Sequence, residues 1–102
     1  MDILIRIKRL VIARRVVFTD KAEDERIADG LTPELVYEAI LNAPAIYKKL
    51  RSRDPISGRP ENLYVINGMT YNGISIYTKG KIRNENGIEV FYVLISSKRS
   101  TD

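Results

Sequence analysis

Histidine and cysteine are both missing from the 102 residues, and their absence removes much of ordinary enzyme chemistry. Without histidine there is no imidazole base, no serine–histidine triad and no imidazole-ligated zinc. Without cysteine there is no disulfide framework, no thiol nucleophile and no thiolate metal site, and a reducing compartment is permitted. No segment approaches the roughly 20 apolar residues of a membrane span. The apolar N-terminus is interrupted by Arg6, Lys8 and Arg9 and carries no small-residue cleavage site, so it does not read as a signal peptide. A cytoplasmic location without membrane contact is expected. Gly-rich phosphate loops of the Walker or Rossmann type, internal repeats and interdomain linkers are also absent. Any catalysis must therefore use Lys, Arg, Tyr, Glu or Asp, and no cofactor is called for.

What remains is a chain of ordinary globular balance, 44% hydrophobic and 29% charged, long enough for one domain over residues 1–102. Its net charge of +4 and pI near 9.5 suggest a polyanionic partner. The charge is unevenly spread. Residues 1–19 and 46–60 each carry +4 net, whereas residues 20–45 carry −5. A basic surface set apart from an acidic helical segment fits nucleic-acid contact on one side; the plainer alternative is a basic but uninvolved surface, since such segregation is common.

Periodicity divides the chain into helices followed by strands. Over residues 2–15, Ile3, Leu4, Ile7, Leu10 and Val11 share one face of a helical wheel, although the β-branched content makes a strand the rival. Val16-Val17-Phe18 suits a brief strand. Thr19-Asp20 offers an N-cap for a polar helix over Lys21–Asp29, which Gly30 can end in the left-handed conformation. Thr32, Pro33 and Glu34 mark a second helix start, running to about Asn42 and burying Leu35, Val36, Ala39 and Ile40 before Pro44. The segment Tyr47–Arg53 reads as an exposed basic loop. Leu63–Ile66 and Ile74–Arg83 read as strands, the second alternating cleanly. Asn84-Glu85-Asn86-Gly87 supplies hairpin-turn chemistry, and Ile88–Ser97 suits a strand buried on both faces. The expected fold is α+β, with N-terminal helices packed on a small antiparallel sheet.

On the alternating strand, Tyr77, Lys79 and Lys81 recur every second residue on one face, roughly 7 Å apart, a spacing suited to successive phosphates. Lys98 and Arg99 end the neighbouring strand, and Tyr47-Lys48-Lys49-Leu50-Arg51-Ser52-Arg53 adds four cations and an aromatic ring. Each has a plainer explanation: alternating lysines as a solvated outer face, Tyr77 as a half-buried sheet aromatic, Glu61 as surface decoration. The cluster Asp20, Glu23, Asp24, Glu25 and Asp29 can be drawn as a magnesium site, but a polar helix with acids near its N-terminus explains it better. No metal site is expected.

The order of segments resembles the MqsR-like toxins, a branch of the RelE-type mRNA interferases of bacterial toxin–antitoxin pairs. The resemblance rests on Ile46-Tyr47-Lys48-Lys49 (the family's Phe-Tyr-Lys-Ser), Glu61-Asn62-Leu63-Tyr64 (Gln-Asp-Val-Tyr), Ile76-Tyr77-Thr78-Lys79 (Val-Tyr-Leu-Lys) and Ile95-Ser96-Ser97-Lys98 (Val-Ser-Phe-Lys). It implies a RelE-like fold and a metal-independent endoribonuclease restrained by a cognate antitoxin. By the same resemblance the catalytic positions fall on Lys48, Tyr77 and Lys98, with Glu61, an alternative proton-accepting base, where the family carries glutamine, and Lys49 an alternative register for Lys48. Lys49, Arg51, Lys79, Lys81 and Arg99 would then hold the RNA. Two other readings stand beside it: a basic nucleic-acid-binding module without catalysis, and a protein-interaction domain in which charge is incidental.

Overall fold

A computed structural model describes residues 2–101. Helix α1 (Ile3–Ile12) leads into the short strand β1 (Val16–Phe18), followed by α2 (Asp20–Ala28) and α3 (Pro33–Asn42). Four longer strands complete the order: β2 (Lys48–Arg53), β3 (Pro60–Met69), β4 (Ser75–Glu85) and β5 (Ile88–Arg99). They form one five-stranded sheet in the order β1-β5-β4-β3-β2. Every pairing is antiparallel except β1 with β5, which is parallel. The fold is thus α+β, but the helices are not one uninterrupted N-terminal block: β1 separates α1 from α2 and joins the sheet beside the last strand.

Local chemistry accounts for the boundaries. The Asp2 carboxylate accepts from the Leu4 amide, and the Thr19 and Thr32 hydroxyls accept from the Ala22 and Leu35 amides, so each helix begins with one orphan donor satisfied. The first helix stops at Ile12, short of residue 15, because the chain turns through Arg14 at φ 59°. Gly30, at φ 70°, ends the second helix as its position suggested. The β4–β5 hairpin turns on Asn86 (φ 53°) and Gly87 (φ 80°) between the paired Glu85 and Ile88. Positive φ at both central residues is the turn that matches strand twist.

One face of the sheet carries the main core. Leu4, Ile7, Leu10 and Val11 of α1 and Val36, Ala39 and Ile40 of α3 pack on Ile66, Ile76, Tyr92 and Leu94. Leu35, expected among them, is only partly buried. Each fully buried aliphatic side chain contributes about 1.5–3 kcal/mol. Two glycines set the spacing. A β-carbon on Gly68 would lie 1.8 Å from the Ala39 carbonyl oxygen, so α3 rests directly on the β3 backbone. One on Gly80 would lie 2.6 Å from the Tyr92 ring, so the absent side chain makes room for the largest buried residue.

The acidic helix has a structural task. Strand β1 ends opposite Leu94, leaving the rest of the β5 edge open, and α2 covers it. Glu25 accepts from the Ser97 amide and the Ser96 hydroxyl at 3.1 and 2.7 Å, and Asp29 accepts from the Arg99 amide at 2.7 Å. Glu23 pairs with Arg26. These carboxylates are occupied within the protein, and among the described residues no group of three or more potential ligands could hold a metal ion. Nor is any described helix long and apolar enough to cross a membrane.

Candidate nucleic-acid interface

Neither α1 nor α3 packs on the second face of the sheet, which α2 borders at the β5 edge, and its residues follow from the register, since directly opposed partners project to the same side. One row across the sheet is Asn67, Tyr77 and Lys98. The next is Lys48, Val65, Lys79 and Ser96. A third joins Leu50 to Leu63 on β2 and β3, with Lys81 opposite Val93 on β4 and β5. A fourth holds Arg83 opposite Phe91. A bulge at Gly80 shifts β5 by one residue, which returns Val93 and Ser96 to one face despite their odd separation.

Three of the expected catalytic positions therefore share this face. Lys98 stands directly opposite Tyr77, its Nζ 5.5 Å from the ring centroid. Lys48 lies one row away on the edge strand, with Lys79 facing it across Val65, which is 2% exposed. Lysine stems flanking a buried valine can cover apolar surface while their ammonium groups stay in water. Asn67 completes the Tyr77 row with its Oδ1 buried and unpartnered.

Glu61 is not part of that group. It sits six residues from Asn67, roughly 20 Å along the strand, and accepts from Lys81 Nζ at 2.9 and 3.0 Å. Its side chain is 16% exposed, and the pair removes both the candidate base and one candidate RNA cation from free use. Of the remaining expected RNA contacts, Lys79 shares the face. Lys49 and Arg51 oppose Tyr64 and Asn62 and turn to the helix side, where Arg51 donates to Asn62. Arg99 opposes Ile76 on that side and binds Asp29 through its amide and Nε. Between Lys48 and Lys49, it is Lys48 that the register puts on the Tyr77 face.

The expected loop at Tyr47–Arg53 is mostly the edge strand β2. Its signal was present, since the half-buried Leu50 and Ser52 alternate with the exposed Lys49, Arg51 and Arg53, but charge density hid it. Below the Tyr77 row the face hollows into a cleft of about 730 Å³, floored by Leu63, Val93 and Ile95 and flanked by the Asp54–Ile56 loop. Strand alternation in the lower half also missed Phe91, whose ring carries two guanidiniums, those of Arg15 and Arg83.

No protein-family model, curated protein or solved structure matches the chain.

Proposed function

We propose that the helix-free face of the sheet binds single-stranded RNA and cuts it by attack of the RNA's own 2′-hydroxyl. The observation that carries this reading is the Lys98–Tyr77 pair with Lys48 and Lys79 on the same face. The 2′-oxygen would bond to the adjacent phosphorus as the bond from phosphorus to the 5′-oxygen breaks. Cyclic phosphate and a 5′-hydroxyl result, and the proton leaves the 2′-oxygen while another reaches the 5′-oxygen. Lys98, Lys48 and Lys79 would stabilise the negative charge growing on the phosphorane, where aimed cations act most strongly in the transition state. The Tyr77 phenol can donate to a phosphate oxygen or pass a proton. We further infer a RelE-like domain of the MqsR branch, acting in the cytoplasm and held in check by an antitoxin protein.

The engagement of Glu61 by Lys81 favours a second reading, in which the same face binds RNA without cutting it, because the candidate carboxylate base is held in an ion pair away from the Tyr77 row. Incubation of purified protein with RNA in EDTA separates the two. Products ending in cyclic phosphate, lost in Lys98→Ala and in Tyr77→Phe, support cleavage. Full cleavage in both variants would remove the site. Salt-sensitive binding with intact RNA would leave the binding module.

A further inference from the structure

We infer that Arg15, Phe91 and Arg83 form a second phosphate-binding position, which holds single-stranded RNA several nucleotides away from the Tyr77–Lys98 pair. The inference rests on the RNA reading above and adds a substrate length to it.

The register brings together Arg83 and Phe91 from two strands and Arg15 from the residue just before a third. Arg83 opposes Phe91 across β4 and β5, and Arg15 immediately precedes Val16, which pairs with Tyr92. Val16 packs on the main core with Tyr92, so Arg15 and Phe91 fall on the helix-free side. The Arg83 guanidinium lies 5.0 Å and that of Arg15 5.7 Å from the Phe91 ring centroid. Both arginines are exposed. Among the described residues neither takes part in an ion pair. The contrast with their neighbours is what marks them. Lys81 is taken up by Glu61, Lys21 by Glu25, and Arg53 donates to the Gly58 carbonyl.

A guanidinium lying over an aromatic ring is held in place by its face while its N–H edge stays available, and that edge matches phosphate oxygens bidentately. Two such groups on one ring make a fixed cationic position where a lone surface lysine would be mobile. Protein acids could also be gripped, but the position shares a face with Tyr77, Lys79 and Lys98, and a chain carrying a charge at every unit satisfies both ends at once.

Arg83 is six residues from Tyr77 on β4, roughly 20 Å. A strand covering that distance runs about three to six nucleotides, according to how far it is extended. On the way it crosses the cleft over Leu63, Val93 and Ile95, which offers apolar surface to the intervening bases. Short RNA should therefore reach only the Tyr77 end, and longer RNA both.

The test uses full-length protein and 2′-O-methyl oligonucleotides of mixed sequence, which cannot be cut by this chemistry, as a trinucleotide and a nonanucleotide, with binding followed by fluorescence anisotropy against salt. In the doubly substituted Arg15→Leu, Arg83→Leu protein, nonanucleotide affinity is expected to fall at least about tenfold. The slope of log affinity on log salt should shrink by about 0.7, the value for one lost phosphate contact on a single strand. Trinucleotide affinity should not change. Phe91→Leu keeps both charges but frees them, and should give a smaller loss with the nonanucleotide alone. Unchanged nonanucleotide binding in the double variant, or equal losses for both lengths, overturns the second position and leaves the Tyr77 site standing. Failure of the unsubstituted protein to bind either oligonucleotide overturns the RNA reading itself. Matching melting temperatures across the variants show that loss of fold is not the cause.

Discussion

Lys98 and Tyr77 face one another across β4 and β5, with the lysine ammonium 5.5 Å from the centre of the tyrosine ring. The pair depends on the hairpin: the Asn86-Gly87 turn sets the register, and the Gly80 bulge carries it through to the far end of β5. A cation over a ring at an exposed site stabilises by about 0.5–1 kcal/mol, enough to restrain the lysine without neutralising it. Its charge is therefore held near the phenol yet remains available to an anion.

Strand parity distinguishes two adjacent lysines. Lys48 opposes Val65 on the helix-free face, and Lys49 opposes Tyr64 on the other. If charge near the scissile phosphate matters, Lys48→Ala should lower the cleavage rate by about 10²-fold, the range seen when one transition-state donor is removed. Lys49→Ala should change it less than threefold, by about the effect of a distant surface charge. Single-turnover cleavage of a labelled RNA measures both. Equal effects would mean that the face is misassigned.

Glu61 serves Lys81 here, and the consequence for activity is opposite to that of a general base. Glu61→Gln removes a negative charge from the surface proposed to hold phosphate and frees an ammonium, so RNA should bind more tightly, by several-fold at low salt. Cleavage should persist. A drop of more than about 100-fold in the single-turnover rate, the size of a lost acid–base contribution, would restore Glu61 as the base.

Two glycines and one tyrosine are tested by stability alone. Gly68→Ala drives a methyl group into the Ala39 carbonyl and should cost about 3 kcal/mol or more, since neither backbone can yield cheaply. Gly80→Ala presses on the Tyr92 ring and should cost about 1–3 kcal/mol. The Tyr92 hydroxyl is buried without a partner, and burial pushes its pKa up. Tyr92→Phe should therefore be neutral or stabilising by up to about 1 kcal/mol. Urea unfolding midpoints report all three; a large loss in Tyr92→Phe would reveal a hydrogen bond to that hydroxyl.

Acid should loosen the α2–β5 edge. Burial alone would raise the Glu25 carboxyl, but hydrogen bonds from Ser96, Lys21 and the Ser97 amide outweigh it and hold the group below its ordinary value of 4.5. Glu89 is lowered likewise, chiefly by its hydrogen bond from Arg6. A carboxyl with a depressed folded pKa adds stability above its unfolded value, and that stability is lost as pH falls through the folded one. Unfolding free energy should therefore be level near neutrality and decline below about pH 4.5. The decline should be shallower in Glu25→Gln; an identical acid profile in that variant would show that the edge contacts carry no linkage.

Much of the layout was legible from residues alone because it rests on local rules. Thr19, Thr32 and Pro33 start helices, Gly30 and Gly87 adopt positive φ, and alternation from Ile74 to Arg83 separates a core side from a solvent side. These depend on a few neighbouring residues, so no partner is needed to read them. The strand at Lys48–Arg53 was hidden because an edge strand buries little, and charge that protects an edge looks like charge in a loop. Its identity comes from pairing with β3.

The sequence by itself determined which chemistries were open, by lacking histidine and cysteine and by supplying lysine, arginine and tyrosine at alternating positions. Only the tertiary structure decided which of these meet. A strand reverses its side chains at every residue, so the pairing register and one bulge send Lys48 and Lys98 to the Tyr77 face while turning Lys49, Arg51 and Arg99 away. The same register gives Glu61 to Lys81, and the parallel pairing of β1 with β5 brings Arg15 from the far end of the chain to the Phe91 ring that Arg83 already flanks across the hairpin.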